Sequence, residues 1–541
     1  MANFDENDGF EYLIVRPEKG GTVDLVRYML WGDLSSGVRF LESSSEEYLA
    51  EQLVFGDYAA DNRWILVVSI LVRKIIALLR KPMEYTGYAV EFILNLLSLN
   101  ANLSGLIYNL FHGKVVIPQR GTDTFISTIG HLDGRIDLYS GQKIAEDMHN
   151  SDLVERGLKI ELGNRVLMDL CMMASKCISW ASTTAGMENS VHSVVLEYYS
   201  TDFQKERSTQ VFILCDKPKD ATLILISFRG TEPFDADDWM TDFDYSWYEF
   251  PKLGKVHMGF LEALGLGNRE NAITFQHHLQ MKNTNFNPSN RDDVITNSAE
   301  GTKSIPSNTA SDSKKQSSTG NRKVLPELGE MSAYHVVKEK LKDLLKEHKN
   351  AKFVVTGHSL GGALAILLPT ILVVHEEEEV MQRLLGVYTF GQPRVGNRQL
   401  GRFIEAHLDS PVRKYFRVVY CNDMVPRLPY DDKTFLYKHF GMCLYYNSCY
   451  IEQLIRSLTM GHMYGPEYVE GWFSILSRIM GLVLPGVSAH CPTDYVNSMR
   501  LGRSALFRCP LSKELLTNCL YSSTKFLFFL ILVSKSSLDI A

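Results

Sequence analysis

Residues 352–365 read KFVVTGHSLGGALA: an apolar run, a serine framed by glycines, then a run rich in Ala and Leu. The first run has the continuous hydrophobicity of a strand covered on both faces, and the last continues as an apolar helix to about residue 374. Glycines between them permit a tight turn from strand to helix. The pattern Gly357-His358-Ser359-Leu360-Gly361 is weak by itself. With Gly and Ser each near 7% of residues, three fixed positions arise by chance about 0.2 times in a chain of this length. Its setting makes it specific, because strand, sharp turn and helix together lift the Ser359 hydroxyl clear of the backbone.

Around this segment strands and helices alternate. Apolar or alternating runs predict strands at 194–199, 210–215, 222–228, 352–356, 385–390 and 414–420, and helices at about 157–180, 331–349 and 360–374. The alternation predicts an α/β class with a mainly parallel central sheet. Residues 281–323 are rich in Asn, Ser, Thr and Lys and nearly free of aromatics. Such a stretch buries too little apolar area to offset its ordering entropy, so a disordered insertion is expected there. At 541 residues the chain is long enough for two or three units. The divisions expected are 1–150, 151–507 carrying the insertion, and a tail at 508–541. Of that tail, KFLFFLILV (525–533) is too short to span a bilayer.

A serine hydroxyl is a poor nucleophile until a histidine takes its proton, and that histidine needs a carboxylate to orient it. With the order serine, acid, histidine, the acid is sought after Ser359. Asp423 stands just past the strand at 414–420, where active-site residues of parallel sheets gather. Asp431 and Asp432 follow it in a polar loop. Three histidines lie beyond: His439, His462 and His490. His439 leaves little chain for a further element and a return. His490, in AHCPTDY, is the expected base, with His439 and His462 the alternatives. For the oxyanion, the N–H of Leu360 directly follows the nucleophile. Thr231, after the strand at 222–228, offers both an N–H and a hydroxyl.

These residues sit in SFRGT, VHMGF (256–260), TGHSLGGALA, TFGQPRVGN (389–397) and NDMVPRLP, in that order. The set resembles the class 3 lipase family, the fungal-lipase-like α/β-hydrolases, over roughly residues 190–500. The resemblance implies an α/β-hydrolase fold, with Ser359 as nucleophile, Asp423 as acid, His490 as base, and Thr231 and Leu360 as the oxyanion hole. It also implies a short lid at 232–250, with Phe234, Trp239, Met240, Phe243 and Trp247 interspersed among acids. Such a segment covers the site with its apolar side and turns that side to lipid on opening. No metal or cofactor is required by this chemistry.

Two apolar stretches precede the catalytic segment, giving an α-helical apolar N-terminal region. In and just beyond 64–79, Ser69, Arg73-Lys74 and Arg80-Lys81 form one polar, basic stripe at helical spacing. In 88–111 Glu91, Asn95, Ser98, Asn102, Gly105 and Asn109 step by 4, 3, 4, 3 and 4, again along one face. Two helices at about 64–80 and 88–111 are therefore expected to lie in a lipid interface, apolar faces in acyl chains, polar stripes towards water or each other, with two hydrophobic core helices or one transmembrane span as the alternatives. A stripe of this kind is wasteful in a lone spanning helix. Together with GHLDGRIDLY at 130–139, the arrangement is similar to that of plant oil-body lipases. That implies triacylglycerol hydrolysis at a lipid-droplet or membrane surface. The alternatives are a phospholipase A1 or galactolipase acting on membranes, and a non-catalytic lipase-like scaffold.

Charge narrows the partners further. A net charge of −7 argues against nucleic acid, which calls for a basic excess. The nine cysteines have no CxxC spacing and an odd count, as expected for free thiols in a reducing compartment. The first eight residues are acidic where a secretory leader is basic and then apolar, so the cytosolic side of the cell is expected.

Overall fold

The computed structural model describes residues 10–44, 59–120, 122, 124–128, 131, 165–180, 193–198, 209–232, 234–251, 253–280, 332–421, 423–429, 436–447, 450–455 and 489–504. The expected insertion at 281–323, the tail at 508–541, Asp431, Asp432 and His462 lie outside these residues.

Among the described residues the main sheet comprises β3 (Ser193–Tyr198), β4 (Thr209–Cys215), β5 (Leu223–Phe228), β8 (Lys352–His358), β9 (Leu384–Phe390), β10 (Tyr415–Tyr420), β11 (Met442–Tyr446), β12 (Ile451–Ile455) and β13 (Arg503–Ser504). Their spatial order is β13-β12-β11-β10-β9-β8-β5-β4-β3. The centre, β5-β8-β9-β10-β11, is parallel throughout, and β4 and β12 flank it antiparallel. The fold is thus an α/β-hydrolase with a mainly parallel central sheet.

The sequence LILISF of β5 explains its central place, because all six residues are buried. Ile224, Ile226 and Phe228 enter one core with Leu364, Leu367 and Leu368 of a helix at 360–374. Leu223 and Leu225 point the other way, into a core with Met168, Met172, Tyr495 and Met499. A strand covered on both faces cannot alternate polar with apolar, and this one does not.

The N-terminal region is knitted into this body. A second, four-stranded sheet runs β2-β1-β6-β7, where β1 is Tyr12–Val15, β2 Leu41–Ser43, β6 Trp247–Phe250 and β7 Gly254–His257. Tyr12 pairs with Tyr248 and Leu13 with Trp247, so a strand near the start is hydrogen-bonded to one from the middle of the chain.

The apolar stretches differ from the two helices expected. A single helix, α1 (Ala59–Leu99), continues through Pro82, and the chain turns only at 100–102 before α2 (Leu103–Phe111). Ala101 and Asn102 take positive φ, +59° and +96°, and the Asn102 side chain accepts from the N–H groups of Ser104 and Gly105. An Asx cap of this kind starts a new helix and breaks the continuous stripe predicted across 91–109. Among the described residues no helix is long and apolar enough to cross a membrane.

The stripes also face protein, where water or each other was expected. Ser69 Oγ donates to Phe243 O at 2.7 Å. Arg73 donates to Val15 O and to Asp244 Oδ1, both at 2.9 Å, and Arg80 pairs with Asp237. Further along, Glu91 binds Arg120 at 2.9 Å, and Asn95 exchanges hydrogen bonds with the Ile126 backbone, each 2.8 Å. Each of these side chains has a partner across the interface, which is what lets this side of α1 be buried.

Candidate active site

Strand β8 ends at His358 and α3 (Leu360–Val374) begins two residues later. Ser359 between them has φ +58° and ψ −131°, a left-handed conformation that costs a non-glycine residue about 1–3 kcal/mol. The neighbours enforce it. A Cβ on Gly357 would stand 2.1 Å from the Gly361 carbonyl oxygen, and one on Gly361 2.3 Å from that of Phe228. Ser359 N donates to Phe390 O at 2.9 Å, tying the turn to β9.

Three side chains from distant parts of the chain converge here. His490 Nε2 lies 2.7 Å from Ser359 Oγ, and His490 Nδ1 lies 2.7 Å from Asp423 Oδ2. A carboxylate can only accept, so the proton sits on Nδ1 and Nε2 is left to accept from the serine hydroxyl. Asp423 is fully buried just past β10, and its other oxygen accepts from Val425 N at 2.9 Å. Tyr495, on α4 (Pro492–Leu501), also donates to Asp423 Oδ2. His439 stands elsewhere, its Nε2 on the Pro426 carbonyl oxygen, and burial holds it well below the ordinary histidine range.

Thr231 follows β5, its hydroxyl 3.3 Å from Ser359 Oγ and donating to Asp242 Oδ2 at 3.1 Å. Leu360 is the first residue of α3, so its N–H has no acceptor within the helix. The two therefore flank the serine where a tetrahedral oxyanion would form. Asp242 is buried, which pushes its carboxyl up to about 7, against the pull of His490 and the Thr231 hydrogen bond.

The segment after Thr231 forms the helix Ala236–Asp242, seven residues capped by the Asp235 side chain. Trp239 and Phe243 are buried in a small core with Met424, Val425 and Leu428, against which Val72, Ile76 and Met83 of α1 pack. Phe234 is half-buried beside Gly87 of α1, and Met240 is half-buried. Of the expected lid, Phe234, Trp239 and Phe243 thus lie against α1, whereas Trp247 belongs to strand β6 of the second sheet. Sequence reasoning missed Asp242 and Tyr495 as partners of the site. Tyr495 could have been noticed within AHCPTDY, about one helical turn after His490, whereas Asp242 is one acid among several in 232–250.

A family model described as "Lipase (class 3)" matches residues 225–433, a span that contains Thr231, Ser359 and Asp423 and stops before His490. A protein of Nicotiana tabacum named triacylglycerol lipase OBL1 is 56% identical over 544 residues, covering 91% of this chain and 95% of its own length. The chain belongs to the class 3 lipase family. A second relative of this lipase, also named triacylglycerol lipase OBL1, from Arabidopsis thaliana, is 53% identical over 525 residues, covering 91% of this chain and 95% of its own. Among solved structures, a Rhizomucor miehei lipase in complex with its propeptide is 22% identical, covering 48% of this chain and 59% of that one, with a TM-score of 0.30. The lipase is accordingly a hydrolase of carboxylic esters.

Proposed function

We propose that this lipase hydrolyses the acyl esters of triacylglycerol at a lipid-droplet surface. Ser359 Oγ attacks the ester carbonyl carbon while His490 Nε2 takes its proton, and Asp423 holds the imidazolium that results. The N–H groups of Leu360 and Thr231 stabilise the oxyanion, joined by the Thr231 hydroxyl once it turns its proton from Asp242 Oδ2 to the substrate. Collapse of the tetrahedral intermediate expels the diacylglycerol alkoxide, which takes the proton from His490, and leaves the acyl group on Ser359. Water then gives a proton to His490, attacks the acyl carbon and releases the fatty acid, and the proton returns to Ser359.

The observation that carries the chemistry is the pair of 2.7 Å contacts on the two nitrogens of His490. Support for the substrate comes from the two relatives, whose names specify triacylglycerol and which match across nearly their whole length. Support for the surface comes from α1 and α2. With Ser69, Arg73 and Asn95 turned to the protein, α1 leaves Leu71, Ile75, Leu78 and Ile93 outward, and α2 adds Leu110 and Phe111. Leu78 is 80% exposed and Phe111 84%. A droplet is bounded by a monolayer with no second aqueous face, so an in-plane helix with one apolar side suits it.

The test is hydrolysis of a triolein emulsion beside phosphatidylcholine vesicles, with Ser359→Ala as control. Fatty acid release from triolein is expected, falling on the order of 10⁴-fold or more in the variant. A preference for vesicles would replace this substrate with phospholipid. Undiminished activity in the variant would remove the mechanism.

A further inference from the structure

Beside the nucleophile stands a second imidazole that the reaction, as written above, leaves idle. His358 ends β8, one residue before Ser359, and is 5% exposed. Its ring stacks on that of His490 with centroids 4.5 Å apart and planes 30° from parallel. Tyr495 meets it edge-on at 5.3 Å. The His358 ring is also hydrogen-bonded to the His490 backbone. Its Nε2 is buried without a hydrogen-bond partner, so Nδ1 is the atom left to face the His490 main chain. Burial, and then the nearness of His490, hold the His358 imidazole well below its ordinary range, so the ring is neutral.

Space filling is a poor account of this residue. A buried nitrogen without a partner costs stability that a hydrocarbon side chain of similar size would not forfeit. His490 itself lies in a turn just ahead of α4, 131 residues along the chain from Ser359, with no strand or helix of its own to fix it. Whatever holds that turn must be referenced to the nucleophile, and His358 is rooted on the same strand end.

We propose that His358 is a positioning residue which, by stacking on the His490 ring and hydrogen-bonding to its main chain, fixes the imidazole where Nε2 faces Ser359 and Nδ1 faces Asp423. Its uncharged π-face also lies against the ring that becomes cationic when the serine proton arrives, an arrangement that favours the cation. This inference rests on the proposed roles of Ser359 and His490.

The test compares wild type with His358→Ala, His358→Asn and His358→Phe, using Ser359→Ala and His490→Ala as controls. The readouts are the rate at which a fluorophosphonate labels Ser359, and kcat and KM on a soluble short-chain p-nitrophenyl ester. A misplacement of about 1 Å can cost on the order of 100-fold, so His358→Ala is expected to lose about that much in kcat and labelling rate with KM within about 2-fold. The Asn amide can make the same main-chain hydrogen bond and is expected to recover most of the loss, whereas Phe, which fills the space without one, is not. Overturning results are His358→Phe as active as His358→Asn, or all three variants within about 2-fold of wild type. Should His358→Ala not fold, the Asn and Phe pair decides alone. Failure of the parent reading looks different: no labelling of Ser359 in wild type, or undiminished labelling in His490→Ala.

Discussion

Helix α3 is apolar on nearly every side and is buried from Leu360 through Leu372, whereas α1, with long apolar runs of its own, turns Ser69 and Arg73 inward beside Ile65, Leu66 and Ile70 and leaves Leu71, Ile75 and Leu78 outward. The sheet and the helix Met258–Ala263 flank α3, so its faces meet apolar side chains. Across from α1 lie Asp244, Asp237 and the Phe243 carbonyl, groups that need donors, and α1 supplies Ser69, Arg73 and Arg80. Hydrophobicity alone does not decide which side of a helix is buried. Where the facing surface is polar, burying leucine there would strand its donors and acceptors, and the polar stripe goes inward instead.

The most damaging way to break this contrast is to remove the anion that draws α1 inward. Asp244 lies between Arg73 and Arg269, each at 2.9 Å, and although burial works against ionisation the two guanidiniums hold its carboxyl below the usual range. Asp244→Ala leaves Arg73 buried without a carboxylate and is expected to cost about 3–5 kcal/mol, read from the urea midpoint. A loss below about 1 kcal/mol would mean that α1 is held by its apolar contacts alone.

The next test sets the two helices side by side. Leu367 of α3 is fully buried, and Leu367→Ala is expected to cost about 3 kcal/mol in the same titration. Leu71, Ile75 and Leu78 changed together to Ser should alter stability by no more than about 0.5 kcal/mol each. Transferring one such side chain out of water is worth about 1.5–3 kcal/mol, so the triple variant should lose at least about 100-fold in partition onto triolein droplets. Undiminished flotation with droplets would show that this face does not meet lipid.

The same contrast explains what could be read from the sequence. The turn at Ser359 was legible because its determinants are local: an apolar run, glycines whose Cβ atoms would collide, and an apolar helix. The structure brings Asp423 and His490 to that serine, the residues to which chain order pointed. The direction of the stripe on α1 was not legible, since it depends on Asp244 and Asp237, more than 150 positions away. Nor was β1, four residues whose pairing with β6 joins Leu13 to Trp247. Asp242 and Tyr495 were hidden for a related reason. Each reaches the triad through another side chain, the Thr231 hydroxyl or the Asp423 carboxylate, and only Tyr495, in the same AHCPTDY segment as His490, left a trace of this in the sequence.

The smallest effect is expected about two turns further along the same stripe. Arg80 pairs with Asp237 as Arg73 does with Asp244, yet these side chains are 53% and 31% exposed, against 9% and 1% for the buried pair. Water competes for both ions at the outer pair and salt screens them, so such a contact is worth about 0–1 kcal/mol. Arg80→Ala should therefore shift the urea midpoint slightly at low salt and not measurably in about 1 M NaCl, where charges more than about 3 Å apart are screened. Asp244→Ala should keep its full cost in both, because bulk ions do not reach a buried pair. Equal salt sensitivity of the two variants would show that water reaches Arg73 as well, and the inward half of α1 would then have to be regarded as a wetted surface.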